Sequence, residues 1–562
     1  MAEQTGLDAR PWLRHYEAGV PHALTYPDHP LQHLLDDAAG RYPNRPAVTF
    51  FGRDLSYAAL RDLADRFAGG LRALGLQPGD RVSLHLPNCP QFVIAYYGIL
   101  KAGGIVVPFN PLFVEREIAV QLADCGATIA VTLDLFLARV KAAAADSRLR
   151  HMIVTRVNEF FPPLLRMLYP LRAKRHGEWP AIRLDATTHA FSDVCGAPPA
   201  RPTAVQSPDD IALLLYTGGT TGTPKGAMLT HRNAVANALQ SASWFPNPEG
   251  TPLVTIGVLP LFHSYAMTVV MNASVLRGHR MVLLPRFETR AVLRAIARYR
   301  PQQMPGVPTL YNALLHNPEV GRYDLRSIRA CISGAAALPL EVQTQFEQIT
   351  GGRLVEGYGL TEASPVTHAT PIGGLRKPGS IGVPVPDTDA RIVDLETGTR
   401  DLPPGEVGEL IIRGPQVMAG YWNRPDETAQ ALRGGWLYTG DIARMDENGY
   451  FFIVDRKKEM LISGGFNVYP REIEEVLFAH PAVQEAAVIG VPDPHRGEVP
   501  KAFVVLKAGA QATAEDLQAH CRAHLAPFKV PREVEFRQTL PKSLIGKVLR
   551  RVLAEEERQA RG

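Results

Sequence analysis

The chain has 562 residues, too many for one simple hydrophobic core, so more than one domain is expected. Hydrophobic residues make up 46% and charged residues 21%, ordinary values for a soluble globular protein. The net charge of +4, from 60 basic against 56 acidic residues, argues against a nucleic-acid partner, which calls for a concentrated basic face.

The opening MAEQTGLDARPW has early acids and no apolar core, so it does not read as a secretion signal. Residues 57–76 predict an amphipathic helix and 80–88 a strand. The apolar run 92–109 is broken by Lys101 and Gly103-Gly104. It falls short of the ~18 uninterrupted apolar residues of a spanning helix and predicts a buried helix, a turn and a strand. A helix at 116–126 follows, then strands at 126–133, 150–157, 211–219, 279–285 and 390–395. Such alternation predicts α/β architecture with largely parallel sheets. Residues 158–180 stand apart. Phe160, Phe161, Leu164, Leu165, Leu168 and Leu171 roughly follow helical spacing, and Arg172, Lys174 and Arg175 come next. Two readings stay open: a membrane-surface helix, or an insertion packed on its own domain. Pro162, Pro163 and Pro170 are expected to shorten any helix there.

From about 370 to 456, Gly and Pro punctuate short strands such as 408–414 and 451–457, which predicts a small β-rich subdomain. After Arg456 a compact tail is expected, with helices at 471–480 and near 514–525 and strands at 485–491 and 501–507. Cys89, Cys125, Cys195, Cys331 and Cys521 have no metal-ligand spacing and suit free thiols in a reducing cytosol.

Five motifs carry chemistry. YTGGTTGTPKG (Tyr216 to Gly226) reads as a strand, an anion-binding loop and a following helix. Gly218, Gly219 and Gly222 let backbone N–H groups approach a phosphate, Thr217, Thr220 and Thr221 add hydroxyls, and Lys225 adds charge. A helix N-terminus after the loop would favour the same anion. The order Pro224-Lys225-Gly226 excludes a Walker loop. VEGYGLTEASP (Val355 to Pro365) offers small residues, an aromatic face at Tyr358, and Glu362, a hard-oxygen ligand suited to Mg²⁺ beside phosphate. YTGD (Tyr438 to Asp441) ends in a carboxylate able to accept two hydroxyls. VDRKKEMLISGGFNVYP (Val454 to Pro470) and PKSLIGK (Pro541 to Lys547) complete the set. Taken singly, Glu362 is a surface acid, Asp441 a turn residue, Lys547 a solvated cation and Gly465 a turn glycine.

In this order the motifs resemble the AMP-forming adenylate family, which includes the acyl-CoA synthetases, and most of all its bacterial long-chain fatty acid–CoA ligases. The resemblance covers nearly the whole chain. It implies a large N-terminal domain, residues 1–456, of two α/β sheets plus a small β-barrel-like subdomain at about 370–456. A smaller mobile α+β domain, 457–562, would turn about Lys458. It implies ATP, Mg²⁺ and CoA as reactants and cofactor, and a fatty acid as substrate. The loop 217–222 with Lys225 would hold phosphates. Gly334, Ala335, Glu356, Gly357, Tyr358 and Gly359 would enclose adenine, Thr361 would bind the nucleotide beside them, Glu362 would bind the metal, and Asp441 with Arg456 would hold the ribose. His263 would adjoin the acyl pocket, Gly464 and Gly465 would line the CoA tunnel, and Lys547 would serve adenylation. A medium-chain or aryl acid–CoA ligase, an acyl-AMP ligase loading a carrier protein, and an ATP sensor without catalysis remain alternatives. The expected setting is cytoplasmic, with peripheral contact at the inner face of a membrane left open, as is a homodimer.

Overall fold

The computed structural model describes residues 10–200, 207–217, 224–245, 247, 250–463, 466–493, 496–543 and 548–561. The chain parts into two compact units. One comprises Leu13–Asp389 and Arg413–Leu437; the other comprises Ala390–Ile412 and Tyr438–Gly562 together with the N-terminal stretch to Trp12.

The first unit is built on an eight-stranded sheet. Its order is Gly420–Tyr421, Lys225–Thr230, Ile211–Thr217, Ile105–Pro108, Arg81–His85, Ile129–Leu133, His151–Thr155 and Thr188–Ala190. From Ile211–Thr217 to Thr188–Ala190 every pairing is parallel. Parallel strands are covered on both faces, and Ile105–Pro108 and Ile129–Leu133 are buried along their whole length. The helix Tyr57–Ala73 starts at Ser56, whose hydroxyl accepts from the Ala59 N–H at 3.3 Å. It buries Leu60, Ala64, Phe67 and Leu71, one helical face. Against it lies Pro90–Ala102, so close that a Cβ on Gly98 would stand 2.7 Å from Phe67. That second helix is buried on nearly all sides, and Lys101 is neutralised by Asp36 and by Asp65 at 2.7 Å. Gly103, at φ 89°, turns the chain into Ile105–Pro108, as the broken apolar run predicts.

Two four-stranded sheets complete the unit. One runs Val254–Gly257, Arg280–Leu283, Pro46–Phe50, Arg53–Ser56; the other Ala330–Ser333, Arg353–Gly359, Val366–Ala369, Val383–Pro384. Single bridges from Gln303 to Thr255 and to Ala330 join them.

The segment 158–180 corrects one expectation. The prolines do not cut the helix short: it spans Pro163–Arg175 with Pro170 inside it. A proline lacks the N–H that would bond the carbonyl four residues back. Here that carbonyl belongs to Arg166, and the Asn158 side-chain amide donates to it at 3.1 Å. Phe161 is buried beneath, whereas Leu164, Met167, Leu168 and Leu171 are exposed.

In the second unit, strands Asp389–Val393, Gly408–Arg413 and Trp436–Met445 adjoin in that order, and Phe451–Arg456 pairs with the last. The tail folds on a second sheet. Its long antiparallel pair, Val483–Asp493 with Gly497–Leu506, is flanked by Leu461–Ser463, Phe466–Val468 and Glu533–Phe536. The helices Pro470–Phe478 and Ala514–His524 cover one face through Ile473, Leu477, Leu517 and Cys521. A terminal helix, Arg550–Arg561, packs Leu553 into a separate cluster with Ile489 and Phe503.

Candidate active site

Of the phosphate-loop motif, Gly218, Gly219, Thr220, Thr221 and Gly222 lie outside the described residues, as do Gly464, Gly465 and Lys547. The flanks of the loop are described, and they correct the reading of strand, loop and helix. The loop joins two antiparallel strands, with Thr217 opposite Lys225 and Tyr216 opposite Gly226. The helix His231–Ser243 begins only after the second strand, capped by Thr230, whose hydroxyl accepts from the Asn233 N–H at 3.1 Å. Six strand residues intervene, and at ~3.3 Å each that is roughly 20 Å. A helix dipole acts within about one turn, so this helix does not supply the charge at the loop. Lys225 does.

The hairpin is anchored from one side. The Tyr216 hydroxyl donates to Asp124 at 2.5 Å, and Asp124 also receives Arg424 at 2.9 Å. Burial, with the Asp124 carboxylate, pushes the Tyr216 pKa well above the ordinary phenol range, so it stays a donor. The outermost strand, Gly420–Tyr421, then lies on Lys225–Thr230, with Tyr421 opposite Ala227. The Lys225 ammonium stands 5.4 Å from the Tyr421 ring centroid and 3.9 Å from Glu427. The Tyr421 hydroxyl donates to Glu362 at 2.9 Å.

Gly334 and Ala335 follow the end of the parallel strand Ala330–Ser333, where open α/β sheets place their ligands. Ala335 has φ 68°, a left-handed conformation uncommon for a residue with a Cβ. Beside them run Gly357, Tyr358 and Gly359, on a strand parallel to the first. These glycines sit where the backbone or a side chain packs against them. A Cβ on Gly359 would meet the Pro365 carbonyl at 2.1 Å, one on Gly357 would meet Ile332 at 2.7 Å, and one on Gly334 would meet Tyr265 at 3.2 Å. The Glu356 carboxylate is buried and accepts from the Leu338 N–H at 3.1 Å, so it holds the loop containing Gly334 and Ala335. Tyr358 is half-buried, edge-on to His368 at 5.8 Å.

His263 is half-buried, and its Nδ1 accepts from the Tyr265 N–H at 3.3 Å. The chain then winds into a π-helical stretch, Met267–Asn272, a geometry frequent at functional sites. The segment binds the neighbouring elements together. Tyr265 donates to the Ile332 carbonyl at 2.7 Å, Thr268 to the Ser364 carbonyl at 2.6 Å, and Ser264 lies 3.4 Å from the Thr361 hydroxyl.

In the other unit, Asp441 and Arg456 are partners across an antiparallel pair, with Arg456 Nε 3.5 Å from the Asp441 carboxylate. Lys457 and Lys458 lie exposed in the turn directly after that strand. Lys457 is held by Glu409 at 2.8 Å.

Among the described residues no three His, Cys, Asp or Glu side chains gather to hold a metal. A single carboxylate nonetheless fits Mg²⁺, which takes one or two protein oxygens and completes its shell with phosphate and water. Glu362 is such a carboxylate, close to Lys225 through Tyr421. Tyr421, Glu427, Asp124 and Tyr265 were not singled out by sequence. Their only local trace is aromatic and charged residues within Gly- and Pro-rich stretches, which many loops share.

The model of the AMP-binding enzyme family matches residues 35–422, and that of the AMP-binding enzyme C-terminal domain matches 472–547; the chain belongs to this family. It is 49% identical to the long-chain-fatty-acid–CoA ligase of Bacillus subtilis (strain 168), across 98% of each chain. It is 42% identical to the long-chain-fatty-acid–CoA ligase of Yersinia pestis, across 97% of this chain and 98% of that one. The fold is similar to the crystal structure of ATP-bound MatB from Rhodopseudomonas palustris, with a TM-score of 0.83 and 32% identity over 94% of this chain and 99% of that one.

Proposed function

We propose that this enzyme is a long-chain fatty acid–CoA ligase acting in two steps. The observation that carries the reading is full-length identity of 49% to a relative of that name. In the first step a fatty acid carboxylate oxygen attacks the α-phosphorus of ATP. The bond from that phosphorus to the bridging oxygen breaks, releasing pyrophosphate and leaving acyl-AMP. Both reactants are anionic, so fixed cations lower the barrier by meeting charge where it concentrates. Lys225 faces the β- and γ-phosphates, and Lys547 is brought to the reacting centre. Lysine suits that second task as a compact charge on a flexible stem. Thr217 to Gly222 cradle the phosphates; Tyr358 stacks on adenine; Asp441 and Arg456 hold the ribose. Glu362 would hold Mg²⁺, which when bound would offset phosphate charge.

In the second step the CoA thiol loses its proton and its sulfur attacks the acyl carbonyl. The bond from that carbon to the AMP oxygen breaks, giving acyl-CoA and AMP. Gly464 and Gly465 line the path of the pantetheine arm. The small domain, 457–562, turns about Lys458 between the steps, and the exposed turn at Lys457 and Lys458 supports a hinge there. His263 adjoins the acyl chain, whose length preference follows from burial worth ~0.8 kcal/mol per CH₂.

The test is mass spectrometry of the purified protein with ATP, Mg²⁺ and mixed C6 to C20 fatty acids, with and without CoA. Acyl-CoA and AMP peaking at about C14 to C18, where each added CH₂ still contributes, are expected. A peak at shorter or aryl acids would retain the mechanism and overturn the chain length. Acyl-AMP that CoA cannot consume would point to a carrier-loading ligase. ATP binding without any product would point to a sensor.

The enzyme works in the cytoplasm, with a peripheral membrane contact through the helix Pro163–Arg175. No described helix is long and apolar enough to cross a membrane. The exposed Leu164, Met167, Leu168 and Leu171 lie beside Arg172, Lys174 and Arg175, an exposed apolar surface with adjacent positive charge that supports the contact. Its inner side borders a groove of about 770 Å³ lined by Arg53, Arg156, Phe161 and Trp179. Flotation with anionic liposomes tests the contact: loss of binding on removal of 160–175 is expected, and unchanged binding would remove the helix from consideration.

A further inference from the structure

Two groups with opposite tasks at the phosphates, Lys225 and Glu362, come from segments far apart in sequence, and one side chain touches both. Tyr421 sits on the short edge strand opposite Ala227, so Lys225, two residues along, is its diagonal neighbour on the same face. The ring centroid lies 5.4 Å from the Lys225 ammonium, within reach of a cation–π contact. The hydroxyl continues past it to Glu362 Oε1 at 2.9 Å.

The backbone holds this arrangement on both sides. The Trp422 N–H donates to the Gly226 carbonyl at 2.8 Å, and the Tyr421 N–H donates to the Thr428 hydroxyl at 2.9 Å. The Met418 N–H donates to the Glu362 carbonyl at 2.8 Å, and the Ser364 hydroxyl to the Gln416 carbonyl at 2.8 Å. The segment 416–422 therefore ties the cation-bearing strand to the carboxylate-bearing turn, and Tyr421 is the side chain that spans them.

We propose that Tyr421 is a positioning residue of the adenylation centre, its hydroxyl orienting Glu362 toward the metal–nucleotide complex and its ring orienting Lys225 toward the phosphates. Glu427, 3.9 Å from Lys225, is the competing partner that a phosphate displaces. With the ring absent, Lys225 turns to Glu427. The proposal rests on the reading of Glu362 as the metal-binding carboxylate, and the two are separable.

The experiment is calorimetric titration of the full-length protein with MgATP, and with ATP in EDTA, on the wild type, Tyr421→Phe, Tyr421→Leu and Glu362→Gln. Tyr421→Phe loses one hydrogen bond to a charged group. It is expected to weaken MgATP about tenfold and to leave metal-free ATP within about twofold. Tyr421→Leu also loses the ring and is expected to weaken both forms. Glu362→Gln is expected to abolish the advantage of MgATP over ATP. Equal weakening of both forms by Tyr421→Phe would indicate a merely structural role and overturn the proposal. No change with Tyr421→Phe, while Glu362→Gln loses the metal advantage, would overturn Tyr421 and keep Glu362. Retention of the metal advantage by Glu362→Gln would overturn both.

Discussion

The Arg550 guanidinium meets the Glu474 carboxylate through two nitrogens, Nε at 3.0 Å and Nη2 at 2.5 Å. Glu474 is buried and also accepts from the Val488 N–H at 2.7 Å. Arg550 further reaches Glu459 and stands 3.9 Å from Asp455. Burial opposes the arginine's charge, but these carboxylates outweigh it and hold its pKa above the ordinary range.

Removing one partner of a buried pair leaves the other charged and uncompensated. Arg550→Ala is therefore expected to destabilise the second unit by about 3 kcal/mol, read as a lower denaturant midpoint. Adding Glu474→Gln keeps an acceptor for Val488 without the charge and should recover most of the loss. Failure to recover would mean that Arg550 acts mainly through Glu459 or Asp455.

Acid stability is governed partly by histidines buried without charge. His85 packs on Phe109 at 4.4 Å, and neither ring nitrogen has a partner among the described residues. Burial lowers its pKa to about 3, and it lowers those of His231, His279 and His368 to about 4, 4 and 3. Below the ordinary value of 6.5 the unfolded chain binds protons that the native state excludes. Native stability must then fall with falling pH, by about 1 kcal/mol per pH unit per excluded proton. His85→Leu should narrow the difference in stability between pH 7.5 and 5.5 by about 1 kcal/mol. An unchanged difference would show that His85 is charged in the native state.

Gly359 allows two backbone segments to touch. A Cβ there would stand 2.1 Å from the Pro365 carbonyl, a contact that a flexible side chain cannot relieve. Gly359→Ala is expected to shift Glu362, three residues on, raise the KM for MgATP by at least about tenfold, and cost about 1–3 kcal/mol through overpacking. Wild-type nucleotide affinity in a folded Gly359→Ala protein would detach this glycine from the site.

The two half-reactions place different demands on charge. Lys547→Ala is expected to stop formation of acyl-AMP while leaving thioesterification of supplied acyl-AMP close to wild type. Single-turnover assays of each half-reaction measure this. Equal loss of both would remove Lys547 from the adenylation step.

Much of the architecture was legible because it is written locally. The strands near 129–133 and 151–155 are short, mostly apolar and rich in β-branched residues, and 81–85 keeps Val82 and Leu84 between polar neighbours, all bounded by turn or helix signals. Gly103 marked the turn inside the 92–109 run because its backbone takes a conformation that side chains disfavour. The phosphate loop was misread in one respect. KGAMLT carries Lys225 and several good helix formers close to a capping threonine, so nothing local distinguishes a short strand from the start of a helix. Pairing with Ile211–Thr217 decided it. The helix through Pro170 is likewise supported from outside its own turns, by the amide of Asn158, which no helical period foretells.

By itself the sequence determined which chemical groups the protein owns: the lysines, carboxylates and glycines of five motifs, whose spacing is a local property of the chain. The tertiary structure decided which of them meet in the first unit. Tyr421 meets Lys225 and Glu362 because an edge strand of two residues pairs with one nearly two hundred positions earlier. Such pairings follow from the burial of whole sheets and the satisfaction of their backbone hydrogen bonds, a sum over many distant residues that no short motif contains.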